Sequence, residues 1–373
     1  MKSVESSIIF YFCFSVVTAQ LATPASTWPP LSTSATCNNS LSSELLTMFS
    51  PNAAFSNVVI SSISYVNSTV ICTSMADAEV ALLRPTIKIY LFYGPNNTDY
   101  QVETLDNMKN LLTAGHWNFS RPATCFFPGW TKSATSPGYS LEVVDAYLAN
   151  GTSNLLVVDW WAVNRMEYTR VVSVMPSVAQ WLAQAFDAFC EASNVTAMTF
   201  VGHSLGAHLS GYTARRLAAL AVPFLAALDP AGPLFSPVPL RCQEGVRADD
   251  AHFVMALHTD AGRFGSDAAV GSVDYYANNG THVQPGCTPY DTQPGACAAQ
   301  FLCSHTRALL LWCAAVRRPG SVVGRLCPSS SAFAAGMCSG RSTNDITAPT
   351  ANWGPYYFKT NADAPYGQGI HGA

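Results

Sequence analysis

The sequence is poor in charged residues. Asp, Glu, Lys and Arg make up only 11% of its 373 residues, and the formal net charge is −4. A nucleic-acid-binding surface needs a basic patch, and electrostatic attachment to an acidic membrane needs a basic face. The composition therefore argues against both kinds of surface, whereas 49% hydrophobic residues are enough for a large buried core.

Long apolar runs are also lacking beyond the first twenty residues. A membrane-spanning helix needs about 18 consecutive apolar residues, so we expect no transmembrane anchor in the mature chain. The run Ile8–Val17 follows Lys2 and continues into Thr18 and Ala19, which is the pattern of a secretory leader with a small-residue cleavage site. We therefore predict a signal peptide at residues 1–19 and a secreted, extracellular protein.

Motifs for cofactors and metals are missing as well. No glycine-rich phosphate loop precedes a predicted helix, and no pair of His or Cys has the spacing of a zinc site, so we expect no cofactor and no metal. The 12 cysteines fit an oxidising compartment. Losing Cys13 with the leader leaves an odd number, so one cysteine is unpaired or pairs with another chain. Seven Asn-X-Ser/Thr sequons are consistent with a glycoprotein and begin at Asn38, Asn67, Asn96, Asn118, Asn150, Asn194 and Asn279.

The chain divides into a leading segment and one domain. Residues 20–50 are rich in Ser, Thr, Pro and Asn, which predicts an exposed segment without a core. In residues 51–373 we predict a single domain whose strands alternate with helices, an order typical of a parallel sheet with helices on both faces. The predicted strands are Val58–Tyr65, Thr86–Tyr93, Ala123–Phe127, Leu155–Asp159, a run beginning at Met198, Phe224–Leu228 and Phe253–Leu257. The predicted helices are Leu141–Asn150, Val171–Ala192, Leu205–Leu220 and Ala308–Val316.

The run that begins at Met198 ends in Gly202-His203-Ser204-Leu205-Gly206. This GxSxG pattern predicts a sharp turn between a strand and a helix, with Ser204 at the turn. Glycine is needed on both sides because such a turn forces the flanking chain together. The helix N-terminus favours the negative charge that develops on a carbonyl under attack. The motif therefore indicates a serine nucleophile for acyl transfer.

Such a serine needs a histidine base and an acid that orients the base. In hydrolases built on this turn, the order along the chain is Ser, acid, His. Asp229 lies 25 residues after Ser204, at the end of the next predicted strand, and is the candidate acid, whereas Asp159 ends an earlier strand and is its competitor. The order does not choose a base among the histidines that follow Asp229, which are His252, His258, His282, His305 and His371.

Four motifs follow one another in a fixed order. They are Gly202 to His208 (GHSLGAH), Leu228 to Pro233 (LDPAGP), His258-Thr259-Asp260 and Cys303-Ser304-His305. Together they resemble the pancreatic-lipase-like family of the α/β-hydrolase superfamily, above all its insect neutral lipases and phospholipases A1. The resemblance implies an α/β-hydrolase fold with a mostly parallel central sheet and helices on both faces. It assigns Ser204 as the nucleophile, Asp229 as the acid and His305 as the base, and it leaves His258 a structural role.

The resemblance also locates an oxyanion hole at the backbone N–H groups of Leu205 and Trp130. The stretch Phe127-Pro128-Gly129-Trp130 matches the family's His-Gly-aromatic loop. Pro128 departs from the pattern, because the family usually has His there. Proline has neither an imidazole nor an N–H, so we expect different hydrogen bonding in this loop and an altered activity rather than a lost one.

Disulfides follow from the same resemblance. It pairs Cys287 with Cys303 at the base of a lid, with 15 residues between them, and Cys327 with Cys338 near the C-terminus. That lid is short, and the 68 residues after His305 are too few for the C-terminal β-sandwich domain of pancreatic lipases. The remaining cysteines have no partner that the sequence identifies: Cys37, Cys72 and Cys125, among which a pair tying the N-terminal segment to the core stays open, and Cys190, Cys242, Cys297 and Cys313.

Short covering loops resemble the phospholipase A1 side of the family. We therefore expect a serine carboxylester hydrolase that releases fatty acid from lipid esters at a membrane, micelle or emulsion surface, of the phospholipase A1 type. A triacylglycerol lipase or galactolipase is the alternative, and a catalytically silent, yolk-type lipid-binding protein on the same fold is a further one. The sequence indicates no particular oligomeric state.

Overall fold

A computed structural model provides the three-dimensional structure. It describes residues 75–236, 243–287 and 302–373, together with two short paired strands, Tyr65–Val66 (β1) and Thr69–Val70 (β2). The predicted signal peptide, the segment 20–50 and the lid interior lie outside the described residues, as does nearly all of the predicted strand Val58–Tyr65. Within the described part of the chain, no helix is both long and apolar enough to cross a membrane.

Within the described residues, eleven further strands form one sheet. In chain order they are Lys88–Phe92 (β3), Tyr100–Thr104 (β4), Ala123–Phe127 (β5), Asn154–Asp159 (β6), Met198–His203 (β7), Leu225–Leu228 (β8), Val254–His258 (β9), Val273–Ala277 (β10), Val323–Leu326 (β11), Thr343–Asp345 (β12) and Gly354–Phe358 (β13).

The order across the sheet is β12-β11-β13-β10-β9-β8-β7-β5-β6-β3-β4. The seven neighbours from β13 to β6 run parallel, and the two strands at each edge pair antiparallel. The prediction of a mostly parallel sheet is therefore confirmed. Strands β4 and β10 to β13 were not predicted. Strands β11 and β12 have only four and three residues, which is too few to show an alternation of apolar and polar residues.

The helices are Asp77–Ala81 (α1), Ser140–Asn150 (α2), Trp161–Asn164 (α3), Tyr168–Ser193 (α4), Leu205–Ala214 (α5), Cys303–Arg317 (α6) and Ser330–Ala334 (α7). Short 3₁₀ segments lie at Arg84–Thr86, Leu105–Leu112, Asn278–Gly280 and Ile370–Gly372. Helix α5 ends six residues before the predicted Leu220, because the Asp187 carboxylate accepts backbone N–H groups from Ala218 to Leu220 and draws the chain into a turn.

Helices cover both faces of the sheet. Helices α4 and α5 pack together on one face, and α2 and α6 pack together on the other. The strands alternate between the two cores: in β8, Leu225 and Ala227 face the first, whereas Ala226 and Leu228 face the second. Burial on both sides explains why the central strands read as continuous apolar runs. The chain has the α/β-hydrolase fold that the resemblance implied.

Among the described residues, disulfides join Cys287 to Cys303 and Cys327 to Cys338, the pairs that the resemblance implied. Cys125, Cys190 and Cys313 are free, buried thiols. Cys125 therefore does not tie the N-terminal segment to the core, since it lies inside the first hydrophobic core on the central strand β5. Burial raises the pKa of the Cys125 thiol well above its usual value, which makes this thiol unreactive.

Candidate active site

The parallel strands bring the candidate site residues to one edge of the sheet. Phe127 at the end of β5 pairs with Gly202 of β7, and His203 at the end of β7 pairs with Leu228 at the end of β8. The carboxyl ends of neighbouring parallel strands meet at the same edge. The residues that follow these three ends therefore lie side by side, and they include the serine and the aspartate of the predicted triad.

Ser204 occupies the strained turn that its flanking glycines predict. Its φ of 58° and ψ of −124° lie in a region that side-chain-bearing residues rarely adopt. A Cβ on Gly202 would lie 2.3 Å from the Gly206 carbonyl oxygen, and a Cβ on Gly206 would lie 1.9 Å from the Phe127 carbonyl oxygen. Both positions therefore admit only glycine. The turn puts Ser204 at the N-cap of α5, where the Leu205 N–H has no acceptor within the helix.

His305 and Asp229 meet across 76 residues of sequence. Nδ1 of the imidazole lies 2.6 Å from Oδ2 of the carboxylate, and the exposed fractions of the two residues are 5% and 0%. Oδ1 accepts the backbone N–H groups of Thr259 at 2.8 Å and Asp260 at 3.1 Å. Because both carboxylate oxygens are bound, the acid holds the imidazole in one orientation, with Nε2 left for a serine hydroxyl. His305 lies in the first turn of α6 rather than before the helix.

The other candidates of the sequence have other partners or positions. Asp159 ends β6, two strands from β7, and accepts the Trp161 backbone N–H. His252 is exposed at the amino end of β9, which is the opposite edge of the sheet. The remaining histidines have other surroundings: His371 is exposed near the C-terminus, His282 contacts Arg263 and Asp260, and buried His258 pairs with Asp274.

His203 links the serine turn to the base. Its Nε2 lies 3.0 Å from the backbone carbonyl of His305, and its Nδ1 lies 2.5 Å from the Tyr139 hydroxyl. The Tyr139 hydroxyl accepts the Gly129 N–H at 3.0 Å, so its own proton is available to Nδ1. Nε2 then carries the ring proton and donates to the carbonyl. Burial, followed by the charge of His305, lowers the pKa of His203 well below its usual value, which suits this neutral ring.

The loop after β5 is held by side chains that the sequence did not single out. Asn164 donates from Nδ2 to the carbonyl oxygens of Gly129 at 2.9 Å and Lys132 at 2.7 Å. Trp160 donates from Nε1 to the carbonyl oxygen of Pro128 at 2.9 Å. The loop is therefore anchored from α3 and its N-cap, without help from a side chain at position 128.

This loop also passes directly against the serine. A Cβ on Gly129 would lie 3.0 Å from Cβ of Ser204. The backbone of Trp130, the second predicted oxyanion-hole residue, follows immediately, and its indole donates from Nε1 to the Met166 carbonyl at 3.0 Å. The predicted oxyanion-hole segments are thus neighbours in space.

Asp260 is a further buried carboxyl at the site. One ligand atom each from Asp229, Asp260 and His305 lies within 4.8 Å of the others. Burial, with the charge of Asp229, raises the pKa of Asp260 above its ordinary value. In the sequence, Asp260 could be singled out because it belongs to the His258-Thr259-Asp260 motif. Tyr139 and Asn164 had no such signal, because isolated polar residues on distant segments leave no periodic pattern.

The family model described as Lipase matches residues 54–363. The chain belongs to the Lipase family. The lipase family chain is 32% identical over 224 residues to Lipase member H of Danio rerio, covering 60% of this chain and 48% of that relative. It is 30% identical over 253 residues to Phospholipase A1 1 of Dolichovespula maculata, covering 64% and 75% of the two chains. With Phospholipase A1 of Vespula squamosa the identity is 28% over 285 residues, covering 73% and 90%.

The lipase family chain spans about half the length of the Danio rerio relative. Among solved structures, it is similar to MGS-M1, an α/β hydrolase from a Medee basin deep-sea metagenome library. That similarity has a TM-score of 0.29 and 17% identity, and it covers 46% of this chain and 63% of the other.

Proposed function

We propose that this lipase family chain is a secreted serine carboxylester hydrolase of the phospholipase A1 type. The observation that carries the proposal is the 2.6 Å contact between His305 Nδ1 and Asp229 Oδ2 beside the strained Ser204 turn. A nucleophile, a base and an orienting acid in this chain order are the parts that acyl transfer needs.

In the proposed mechanism, Ser204 Oγ attacks the ester carbonyl while His305 Nε2 accepts its proton. Asp229 keeps the imidazole oriented and stabilises its positive charge. The backbone N–H groups of Leu205 and Trp130 donate to the developing oxyanion. His305 then protonates the leaving alcohol, and a water molecule activated by the same base releases the fatty acid from the acyl-enzyme.

The choice of phospholipid rests on two supports. The wasp relatives are named phospholipases A1, and the alignment covers 75% and 90% of their lengths. The Cys287–Cys303 disulfide closes a segment with a sequence separation of 16, and the resemblance associates so short a segment with the phospholipase A1 side of the family. Triacylglycerol and galactolipid hydrolysis are the competing outcomes of the substrate test.

Reaction with a serine-directed phosphonate tests the enzyme proposal. One equivalent of the reagent should attach to Ser204, and the Ser204→Ala variant should remain unlabelled. A folded protein that takes up no phosphonate at Ser204 would refute the enzyme proposal and favour a catalytically silent member of the family. Mass spectrometry of the peptide that contains the label provides the readout.

A variant of the base tests the triad. His305→Gln should lower kcat by at least about 10³-fold, because triad members act as a unit. Thermal unfolding of the same sample controls for misfolding. Near-normal turnover by folded His305→Gln would exclude this residue as the base.

A lipid assay tests the substrate class. Phosphatidylcholine vesicles, a triglyceride emulsion and a galactolipid dispersion are compared, and the position of the released acyl chain is identified. We expect release of the sn-1 chain of phosphatidylcholine to be fastest. Cleavage of short-chain esters alone would refute the lipid assignment while leaving the esterase mechanism intact.

A further inference from the structure

The ring of His258 is buried between two hydrogen-bond acceptors. Nε2 lies 2.9 Å from Oδ1 of Asp274, and Nδ1 lies 3.2 Å from the carbonyl oxygen of Ser266. The residue has no exposed surface. A neutral imidazole has one N–H and one lone pair, so it can donate to only one of these oxygens. Its lone pair would then face an oxygen lone pair, which is costly in a buried site.

Asp274 is itself an acceptor in this pair. The same Oδ1 accepts the Val270 N–H at 3.0 Å, and the Gly271 N–H lies 3.3 Å from Oδ2. Because Oδ1 already accepts the Val270 N–H, we take it as an acceptor from Nε2 as well. Both ring nitrogens of His258 must therefore donate, and the ring must be an imidazolium.

The groups around the ring favour the same state. Burial by itself lowers the pKa of His258, but the hydrogen bond and charge of Asp274, with the charge of Asp229, raise it above the ordinary value. Tyr276 also faces the ring and stacks on it with centroids 4.7 Å apart. Burial raises the pKa of Tyr276, so its hydroxyl stays neutral where a histidine titrates.

His258 reaches the triad through the segment Phe264–Ser266, which we call the acid-side loop. The Ser266 carbonyl accepts from the His258 ring. The Ser266 N–H donates to the Pro230 carbonyl at 2.7 Å, next to the triad acid. The His258 ring thus holds one end of the acid-side loop in place.

The acid-side loop packs against both the acid and the base. A Cβ on Gly265 would lie 2.6 Å from each carboxylate oxygen of Asp229. The ring of Phe264 stacks on the imidazole of His305 with centroids 5.6 Å apart. A displacement of this loop would therefore move the two residues whose relative position the reaction depends on.

We propose that His258 is a positioning residue whose doubly donating imidazolium holds the acid-side loop against Asp229 and His305. The catalytic part of this role rests on the proposed ester hydrolysis, in which His305 Nε2 accepts the serine proton while both ring nitrogens of His258 keep theirs. Deprotonation of His258 removes one of its two hydrogen bonds and loosens the loop. Activity should therefore fall on the alkaline side of the pH profile.

The same titration affects stability. The folded-state pKa of His258 is raised above its unfolded value of about 6.5. The stabilisation that the imidazolium contributes is therefore complete below the unfolded pKa and is lost as the pH rises through the folded pKa.

NMR of the unmutated protein with ¹⁵N-labelled histidine tests the protonation state. His258 should have both ring nitrogens protonated at neutral pH. His208 is the internal control, since it is also buried but accepts the Val246 N–H at Nδ1; burial lowers the pKa of His208 to about 4, so it should have a single protonated nitrogen. The Tyr276→Phe variant identifies the His258 resonances through its stacked ring. One unprotonated nitrogen on His258 at neutral pH overturns the proposal.

The pH dependence of kcat/KM tests the positioning role. In Asp274→Asn the alkaline limb of the kcat/KM profile should move to lower pH, while the acid limb stays in place. For each pH unit by which it moves, kcat/KM at a fixed alkaline pH falls about tenfold. Tyr276→Phe is the matched control and should leave both limbs unchanged. In the unmutated enzyme, the alkaline limb of kcat/KM should lie at the pH where the NMR titration shows His258 losing a ring proton. If the two pH values differ, the positioning role is wrong. If Ser204 takes up no phosphonate, the ester-hydrolase proposal fails, and the NMR result still decides the state of His258.

Discussion

Replacing Ser204 with glycine should make the protein more stable while abolishing its activity. Ser204 is held at φ 58° and ψ −124°, and such a conformation costs a side-chain-bearing residue about 1–3 kcal/mol. Glycine adopts it freely but loses about 0.5–1 kcal/mol more conformational entropy on folding. The free energy of unfolding of Ser204→Gly should therefore exceed that of a variant that keeps a Cβ at this position by about 1 kcal/mol. The side chain is partly exposed, so little packing is lost.

Ser204→Ala is the matched control, because it removes the hydroxyl and keeps the strained Cβ. Calorimetric melting of both variants under non-reducing conditions measures the difference. For a domain of this size class, about 1 kcal/mol corresponds to a Tm about 2–4 °C higher for Ser204→Gly. Both variants should fail to react with a serine-directed phosphonate. If Ser204→Gly melts at or below the temperature of Ser204→Ala, the turn does not store strain, and the steric explanation of the motif is wrong.

Two further substitutions test the parts around the triad. Gly265→Ala should lower kcat about tenfold or more with the fold retained, because its Cβ would lie 2.6 Å from both carboxylate oxygens of Asp229; an unchanged kcat on phosphatidylcholine would mean that the acid tolerates displacement. Asn164→Asp keeps the side-chain shape but loses the donors to the carbonyls of Gly129 and Lys132, and it should lower kcat about 10²–10³-fold if these bonds preserve the oxyanion hole. Circular dichroism separates this effect from unfolding, and a normal kcat in the folded variant would remove Asn164 from the site.

The sequence predicts most accurately what short stretches of chain decide. The turn at Ser204 could be predicted because glycine two positions before and two positions after the serine is visible in the sequence, although the atom that excludes a side chain at Gly206 is the Phe127 carbonyl oxygen of β5. The central strands from β5 to β9 could be predicted because burial on both faces leaves uninterrupted apolar runs, whereas the central strands β10 and β13 were missed. Edge strands such as β11 and β12 were missed because a few half-exposed residues carry no periodic signal.

The choice of base shows where local information ends. His258 and His305 both adjoin a regular element, and the order along the chain allowed either. In the folded chain, His305 contacts Asp229 from 76 residues away, whereas His258 contacts Asp274 in the neighbouring strand. Only the resemblance to a family separated the two before the structure did.

The sequence alone thus determined the serine turn, the parallel sheet and the order of the triad candidates, because the glycine pattern and the apolar runs that indicate them lie in contiguous residues. The tertiary structure alone decided which polar side chains surround the site. Tyr139 holds the loop beside the serine, and Asn164 and Trp160 bind the backbone carbonyls of Gly129 and Pro128 in that loop. Their partners come from elements that are distant in the chain and meet only when the sheet and its helices pack. The hydrogen bonds of such buried polar groups depend on that packing and not on their neighbours in sequence.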